Sequence, residues 1–168
     1  ENVLGGAAAN TGTLPSKTLR ESSLYLSGFK QRGLYGISTK LKDQVTAKDF
    51  LYRERMVVQG ERSRISDNLE KHKVDVYKGE ASFTDGHTLE VATKNGSSIQ
   101  LTGGKILIAT GSYPFQPPNF PFHDPRVFDS DTILNIDQIP PSMVIAGGGV
   151  IGCEYACMFA ALGIKVDL

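Results

Sequence analysis

Met143-Val144-Ile145-Ala146 leads into Gly147-Gly148-Gly149-Val150-Ile151-Gly152, and residues 153–162 then read as a helix. No other stretch limits the possible folds so strongly. Glycines spaced Gly-x-Gly-x-x-Gly are weak evidence alone. Set between an apolar strand and a helix, with a second strand at 165–168, they define a phosphate-binding βαβ turn. Gly147 makes the tight turn, Gly149 lets a pyrophosphate approach the backbone, and Gly152 lets helix and strand pack closely. The pyrophosphate would rest on the free N–H groups of the helix N-terminus. In such a unit the group that separates NAD from NADP lies at the end of the second strand. Asp167 falls within that strand and comes too early for the role.

A second glycine-rich segment opens the chain: Gly5-Gly6-Ala7-Ala8-Ala9-Asn10-Thr11-Gly12-Thr13-Leu14-Pro15-Ser16-Lys17. Gly5, Gly6 and Gly12 permit positive φ and close backbone approach to a bulky ligand. Pro15 suits the first turn of a helix, where its missing N–H is no loss. Leu19 and Leu26, with Leu24 and Tyr25 nearby, predict a short amphipathic helix over 16–26, and Gly28 is placed to end it. Lys17 adds a full positive charge within the first turn. By glycine and proline positions alone, a loop capping an ordinary helix is an equal alternative.

Between these segments, residues 30–45, interrupted by Gly33 and Gly36, read as a loop. Thr46-Ala47-Lys48-Asp49 predicts a capping box and a long helix to about His72. Its stripe Leu51, Val58, Ile65 and Leu69 reads as core packing. Strands are expected at 74–77, 81–83, 88–92 and 99–102, with Asp85-Gly86 and Asn95-Gly96 as hairpin turns. Lys105-Ile106-Leu107-Ile108-Ala109 reads as a strand buried on both faces. A Pro-rich linker follows at 114–125, then a short helix from Phe128-Asp129-Ser130-Asp131 toward Ile136. Pro140-Pro141 marks a boundary.

The chain has 168 residues and a formal net charge of zero, enough for one core and without the charge bias of a nucleic-acid or membrane partner. No apolar run is long enough to span a bilayer. The opening Glu1-Asn2-Val3-Leu4 shows no signal peptide and no initiator Met, so Glu1 is not expected to be a native N-terminus. The two cysteines, Cys153 and Cys157, sit four apart on one helix face. They read as packed small residues, since no metal-ligand pattern accompanies them. So few thiols exclude a disulfide scaffold and fit a cytoplasmic location. His72, His87 and His123 read as surface residues.

The opening segment resembles the flavin-facing segment of the flavoprotein disulfide reductases, Gly-Gly-x-Cys-x-x-x-x-Cys-x-Pro-Ser-Lys, with Ala8 and Thr13 in the two cysteine positions. Ala109-Thr110-Gly111, Asp129-Ser130-Asp131 and Cys153-Glu154-Tyr155 extend the likeness over nearly the whole chain. It resembles the two-dinucleotide-binding flavoproteins that include dihydrolipoamide dehydrogenase and glutathione reductase. Within them it looks most like the soluble pyridine nucleotide transhydrogenases. Thr13, the string Asn10-Thr11-Gly12-Thr13-Leu14-Pro15-Ser16-Lys17-Thr18-Leu19-Arg20-Glu21 and Val150-Ile151-Gly152-Cys153-Glu154-Tyr155-Ala156 carry that likeness.

The resemblance implies an α/β fold. Residues 1–140 would be a partial FAD/NAD(P)-binding, Rossmann-like, three-layer ββα domain with a small antiparallel meander. It would lack its first βαβ unit and so expose apolar sheet edges. Residues 141–168 would begin an NAD(P)-binding domain. Gly6, Ala7, Ala8, Gly12, Thr13 and Lys17 would line the flavin, Ala81 would lie near its adenosine half, and Ala109, Thr110 and Gly111 would contact FAD. Gly147, Gly149, Val150, Ile151, Gly152 and Glu154 would serve the nicotinamide nucleotide. Lys17 and Glu154 would be a catalytic pair beside the flavin's reactive nitrogen, with an ordinary interdomain salt bridge as the alternative. The implied activity is FAD-dependent hydride transfer from NADPH to NAD, by a homo-oligomeric parent of which this chain is an inactive piece. A disulfide oxidoreductase like dihydrolipoamide dehydrogenase is the first alternative, and Ala8 with Thr13 argues against it. A catalytically idle redox sensor is the second. The transhydrogenases keep a cysteine where this chain has Ala8, a departure that hydride exchange between two nicotinamides tolerates.

Overall fold

A computed structural model describes residues 3–31 and 45–168. Most of the loop expected over 30–45, with Gly33 and Gly36, lies outside the described residues. Among the described residues there are four α-helices: α1 (Gly6–Asn10), α2 (Thr13–Gln31), α3 (Ala47–Lys71) and α4 (Val150–Ala161). Strands β1 (Glu80–Phe83), β2 (Thr88–Ala92) and β3 (Ser98–Thr102) form one sheet, and β4 (Ser142–Val144) and β5 (Lys165–Asp167) form another.

α2 starts earlier and ends later than expected, and Gly28 lies inside it. An interior glycine costs about 1 kcal/mol relative to alanine. Burial of Leu19 and partial burial of Leu26 against the core offset that cost. Leu24 and Tyr25 face outward. α3 begins at the expected capping box: Asp49 N–H donates to Thr46 Oγ1 (3.2 Å), and Thr46 N–H donates to Asp49 Oδ2 (3.1 Å). Its apolar stripe divides, with Leu51 and Val58 buried and Ile65 and Leu69 half-buried. The helix ends with Lys73 in the left-handed region (φ 54°). Lys73 N–H there donates to Glu70 O and Val74 N–H to Leu69 O, both at 2.9 Å. This satisfies orphan carbonyls in the way glycine usually allows.

The meander is antiparallel in the order β1-β2-β3, with Ala81 opposite Val91 and Leu89 opposite Leu101. Gly96 supplies the positive φ (84°) of the β2–β3 turn. Two expected strands did not form. Residues 74–77 and 105–109 pair with no strand among the described residues. A strand buried on both faces needs neighbours to take its N–H and C=O groups. Without them Leu107 is 89% exposed and Ile108 69% exposed. The expected short helix near Asp129 is a 3₁₀ turn, Thr132–Asn135.

β4 and β5 pair in parallel around α4, as a βαβ unit requires, with Met143 opposite Val166. α4 packs on α2 and carries Tyr155, Met158 and Phe159 into a core with Leu19, Phe50, Leu51, Ile133 and Leu134. The Phe50 and Phe159 rings lie 5.9 Å apart at 57°. Cys153 and Cys157 are both exposed, not packed. α4 is apolar nearly all round, so Tyr155, Met158 and Phe159 take the inner face while Cys153 and Cys157 are left outside. All three histidines are exposed.

Candidate functional site

The opening turn is built on two left-handed glycines, Gly5 (φ 96°) and Gly6 (φ 56°). Gly12, expected to share that conformation, is needed for space instead: a Cβ there would lie 3.2 Å from Ala7 O. That carbonyl accepts from the N–H groups of Thr11 (3.0 Å) and Gly12 (2.6 Å). Gly6, Ala7 and Thr11 line an open cleft of about 310 Å³ with Ser112, Tyr113 and Asp131. The turn is thereby brought beside the residues that follow Ala109, Thr110 and Gly111, all three of which are exposed. Gly111 has a positive φ of 81°. Ala8 and Thr13 are exposed and do not line the cleft. Ala81 is exposed on β1 and lines neither this cleft nor its neighbour.

The neighbouring cleft, about 540 Å³, shares Tyr113 and Asp131. Sequence reasoning quoted Asp131 in its triplet but singled out neither residue. The clue for Tyr113 was its place two residues after Gly111. Asp129 is a cap. Burial pushes its carboxyl pKa up, but bonds from Thr132, Gln116 and the Asp131 N–H outweigh this and hold it below the usual range. Thr132 N–H donates to Asp129 Oδ1 and Gln116 Nε2 to Oδ2, each at 2.7 Å.

The second turn lies at α4. Gly147 has φ 121°, and a Cβ on Gly152 would collide with the Gly147 carbonyl, so both positions require glycine. Gly149 is the N-cap of α4 with no side-chain cap bond, and a Cβ there would meet nothing within 4 Å. Open space, free N–H groups and a helix N-terminus fit a pyrophosphate. Val150 and Ile151 flank this opening and are exposed.

Lys17 on α2 and Glu154 on α4 join the two regions. Lys17 Nζ donates to Glu154 Oε1 across 137 residues of sequence. The side chains are 56% and 34% exposed, so the pair adds little stability. Next to Glu154, Tyr155 Oη donates to Ser130 O (3.2 Å). Burial, then the charges of Asp131, Glu54 and Glu154, push the Tyr155 pKa up to about 12. Glu54 is buried on α3, and burial raises its carboxyl pKa against the opposing charges of Arg55 and Arg62. Among the described residues no cluster of three or more His, Cys, Asp or Glu could hold a metal ion. None of the helices described is long and apolar enough to cross a membrane.

The fold therefore holds two glycine-built turns, and a lysine–glutamate pair joins the helices that follow them. The chain belongs to the pyridine nucleotide-disulphide oxidoreductase family, which it matches over residues 2–168. It is 47% identical over 167 residues to the soluble pyridine nucleotide transhydrogenase of Mycobacterium bovis, covering 99% of this chain and 36% of that protein. To the soluble pyridine nucleotide transhydrogenase of Erwinia tasmaniensis it is 41% identical over 165 residues, covering 98% and 35%. Its structure is similar to that of the HOCl-induced flavoprotein disulfide reductase RclA of Escherichia coli (TM-score 0.79, 30% identity, 99% of this chain and 34% of that one). LpdA of Mycobacterium tuberculosis shares the fold (TM-score 0.87, 22% identity, 98% and 36%). The chain thus spans about a third of the length of these relatives.

Proposed function

We propose that the intact protein carrying this chain is an FAD-dependent soluble transhydrogenase that passes hydride from NADPH to NAD. The observation that carries this is the Lys17–Glu154 pair, which links α2, just after the thiol-free opening segment, to α4, just after the second glycine turn. When bound, the flavin supplies a two-electron carrier that can accept hydride from one nicotinamide and give it to another. The residues proposed to hold FAD are Gly6, Ala7, Ala8, Gly12, Thr13 and Lys17, with Ala109, Thr110 and Gly111; Ala81 would serve its adenosine half. Gly147, Gly149, Val150, Ile151 and Gly152 would take the nicotinamide nucleotide on the α4 N-terminus.

Lys17 would hold negative charge near the flavin's reactive nitrogen, and Glu154 would keep the ammonium in place. No acid–base dyad is needed for this exchange. A disulfide relay would need thiols at positions 8 and 13, where the chain has Ala8 and Thr13. Residues 1–140 and 141–168 would belong to the FAD and NAD(P) domains of the intact protein. Its cytoplasmic location and homo-oligomeric state are proposed from the family likeness alone.

The test is turnover. The intact protein with FAD is given NADPH and a spectrally distinct NAD⁺ analogue, with no thiol substrate. Transfer is expected, without reduction of lipoamide or glutathione disulfide. A bound, reducible flavin that gives no transfer would overturn the proposal in favour of a sensor.

A further inference from the structure

The flavin-facing turn has little to keep its shape. α1 has five residues, far below the length at which a helix is stable alone. It starts at two left-handed glycines, which gain more freedom than other residues when released. Ala8 and Thr13 provide no covalent tie.

Beside the backbone bonds to Ala7 O and the buried Ala9, one side chain ties the turn at both ends. Asn10 Nδ2 donates to Leu4 O (2.9 Å) and to Gly6 O (2.8 Å). Asn10 Oδ1 accepts from Arg62 Nε (2.6 Å), 52 residues away on α3. The first two bonds close the glycine turn on itself. The third anchors it to α3, the longest helix among the described residues. Asn10 borders the cleft, yet both amide hydrogens and its carbonyl oxygen already have partners in the protein.

We propose that Asn10 and Arg62 are positioning residues that lock the flavin-facing turn onto α3, fixing where Gly6 and Ala7 present their backbone to the ligand. This rests on the reading that the turn faces FAD. Neither residue touches the flavin in this account. Their effect on it passes through the backbone of residues 5–12.

The experiment is a double-mutant cycle on the intact protein, read by FAD titration and by the flavin's visible absorption band. Arg62→Ala should weaken FAD binding about tenfold, the scale of one charge-assisted hydrogen bond at a partly exposed site. Asn10→Ala should weaken it at least as much. In the Asn10→Ala background, Arg62→Ala should add less than about twofold, because the shared bond is already gone. Arg62→Lys keeps one donor and should recover part of the affinity and of the wild-type band. That band reports ring surroundings, which a loss of overall stability would not shift in a folded, flavin-loaded variant. Should Arg62→Ala not fold, the cycle with Arg62→Lys gives the same coupling on a smaller scale. Additive effects, or a wild-type band and affinity in the Arg62 variants, would overturn the lock. A wild-type protein that takes up no FAD would instead overturn the flavin reading on which it rests.

Discussion

At Gly147 and Gly152 the backbone of the α4 turn is shaped by the absence of side chains; at the α1 turn the side chain of Asn10 adds bonds of its own. The α4 turn has no side-chain cap, and Gly152 sits where no Cβ fits. The α1 turn also leaves no room for a Cβ at Gly5, 2.6 Å from Ala9 Cβ, but Gly6 has open space around it, and the bonds of Asn10 close the loop. The difference has a physical source. The α4 turn lies between two paired strands and a twelve-residue helix, so rigid neighbours define it. The α1 turn joins no strand among the described residues and needs a long-range tie. Substitutions that remove bonds should therefore damage the α1 turn, whereas the α4 turn should yield only to added atoms.

The largest expected effect is Gly152→Ala. The new methyl meets backbone, not a flexible side chain, so the turn must move, at a cost of about 3 kcal/mol. Thermal unfolding and nucleotide titration should both show it. An unchanged melting point would mean that close packing does not define the α4 turn.

Lys17→Met removes the charge that bridges the two turns. Hydride transfer in the intact protein should slow by about 10- to 100-fold, with FAD still bound. A rate within twofold of wild type would reduce the pair to an ordinary surface salt bridge.

Glu54→Gln probes the buried face of α3, the helix to which Arg62 ties the α1 turn. Burial raises the Glu54 pKa in the folded state, so its ionised form opposes folding. The folded state binds the proton more readily, and stability falls as pH rises from the unfolded pKa through the raised one. The variant should be more stable than wild type at pH 7 and lose that part of the pH slope. Denaturant unfolding at pH 4 and 7 measures it. Equal gains at both values would contradict the assignment.

The smallest effect on stability is expected for Gly149→Ala, where a Cβ meets open space. Stability should change by less than about 0.5 kcal/mol while nucleotide affinity falls by about tenfold. Unchanged affinity would remove Gly149 from the proposed nucleotide contact.

Local chemistry was legible in the sequence wherever its partners lie a few residues apart. The Thr46–Asp49 capping box, the meander and the βαβ turn are of this kind. The Lys17–Glu154 pair, though distant in sequence, followed from the family resemblance. What depended on distant partners without such a pattern was not legible. Asn10 and Arg62 carry no spacing signal, and the pairing arises only when α3 packs beside α1. Residues 105–109 have the composition of a buried strand, but composition does not supply the neighbouring ladder. Lys73 ends α3 in a conformation usually given to glycine, so no residue type announced it. The outward face of α4 was hidden by a helix apolar on every side, and the two exposed cysteines were misplaced for that reason.

The central claim is that flavin alone relays electrons in this protein, without a thiol pair at positions 8 and 13. Anaerobic reductive titration of the intact, FAD-loaded protein tests it most directly, by counting electrons taken up per flavin. The account predicts uptake of about two electrons, the capacity of the flavin itself. Uptake of about four would reveal a second two-electron centre and contradict it.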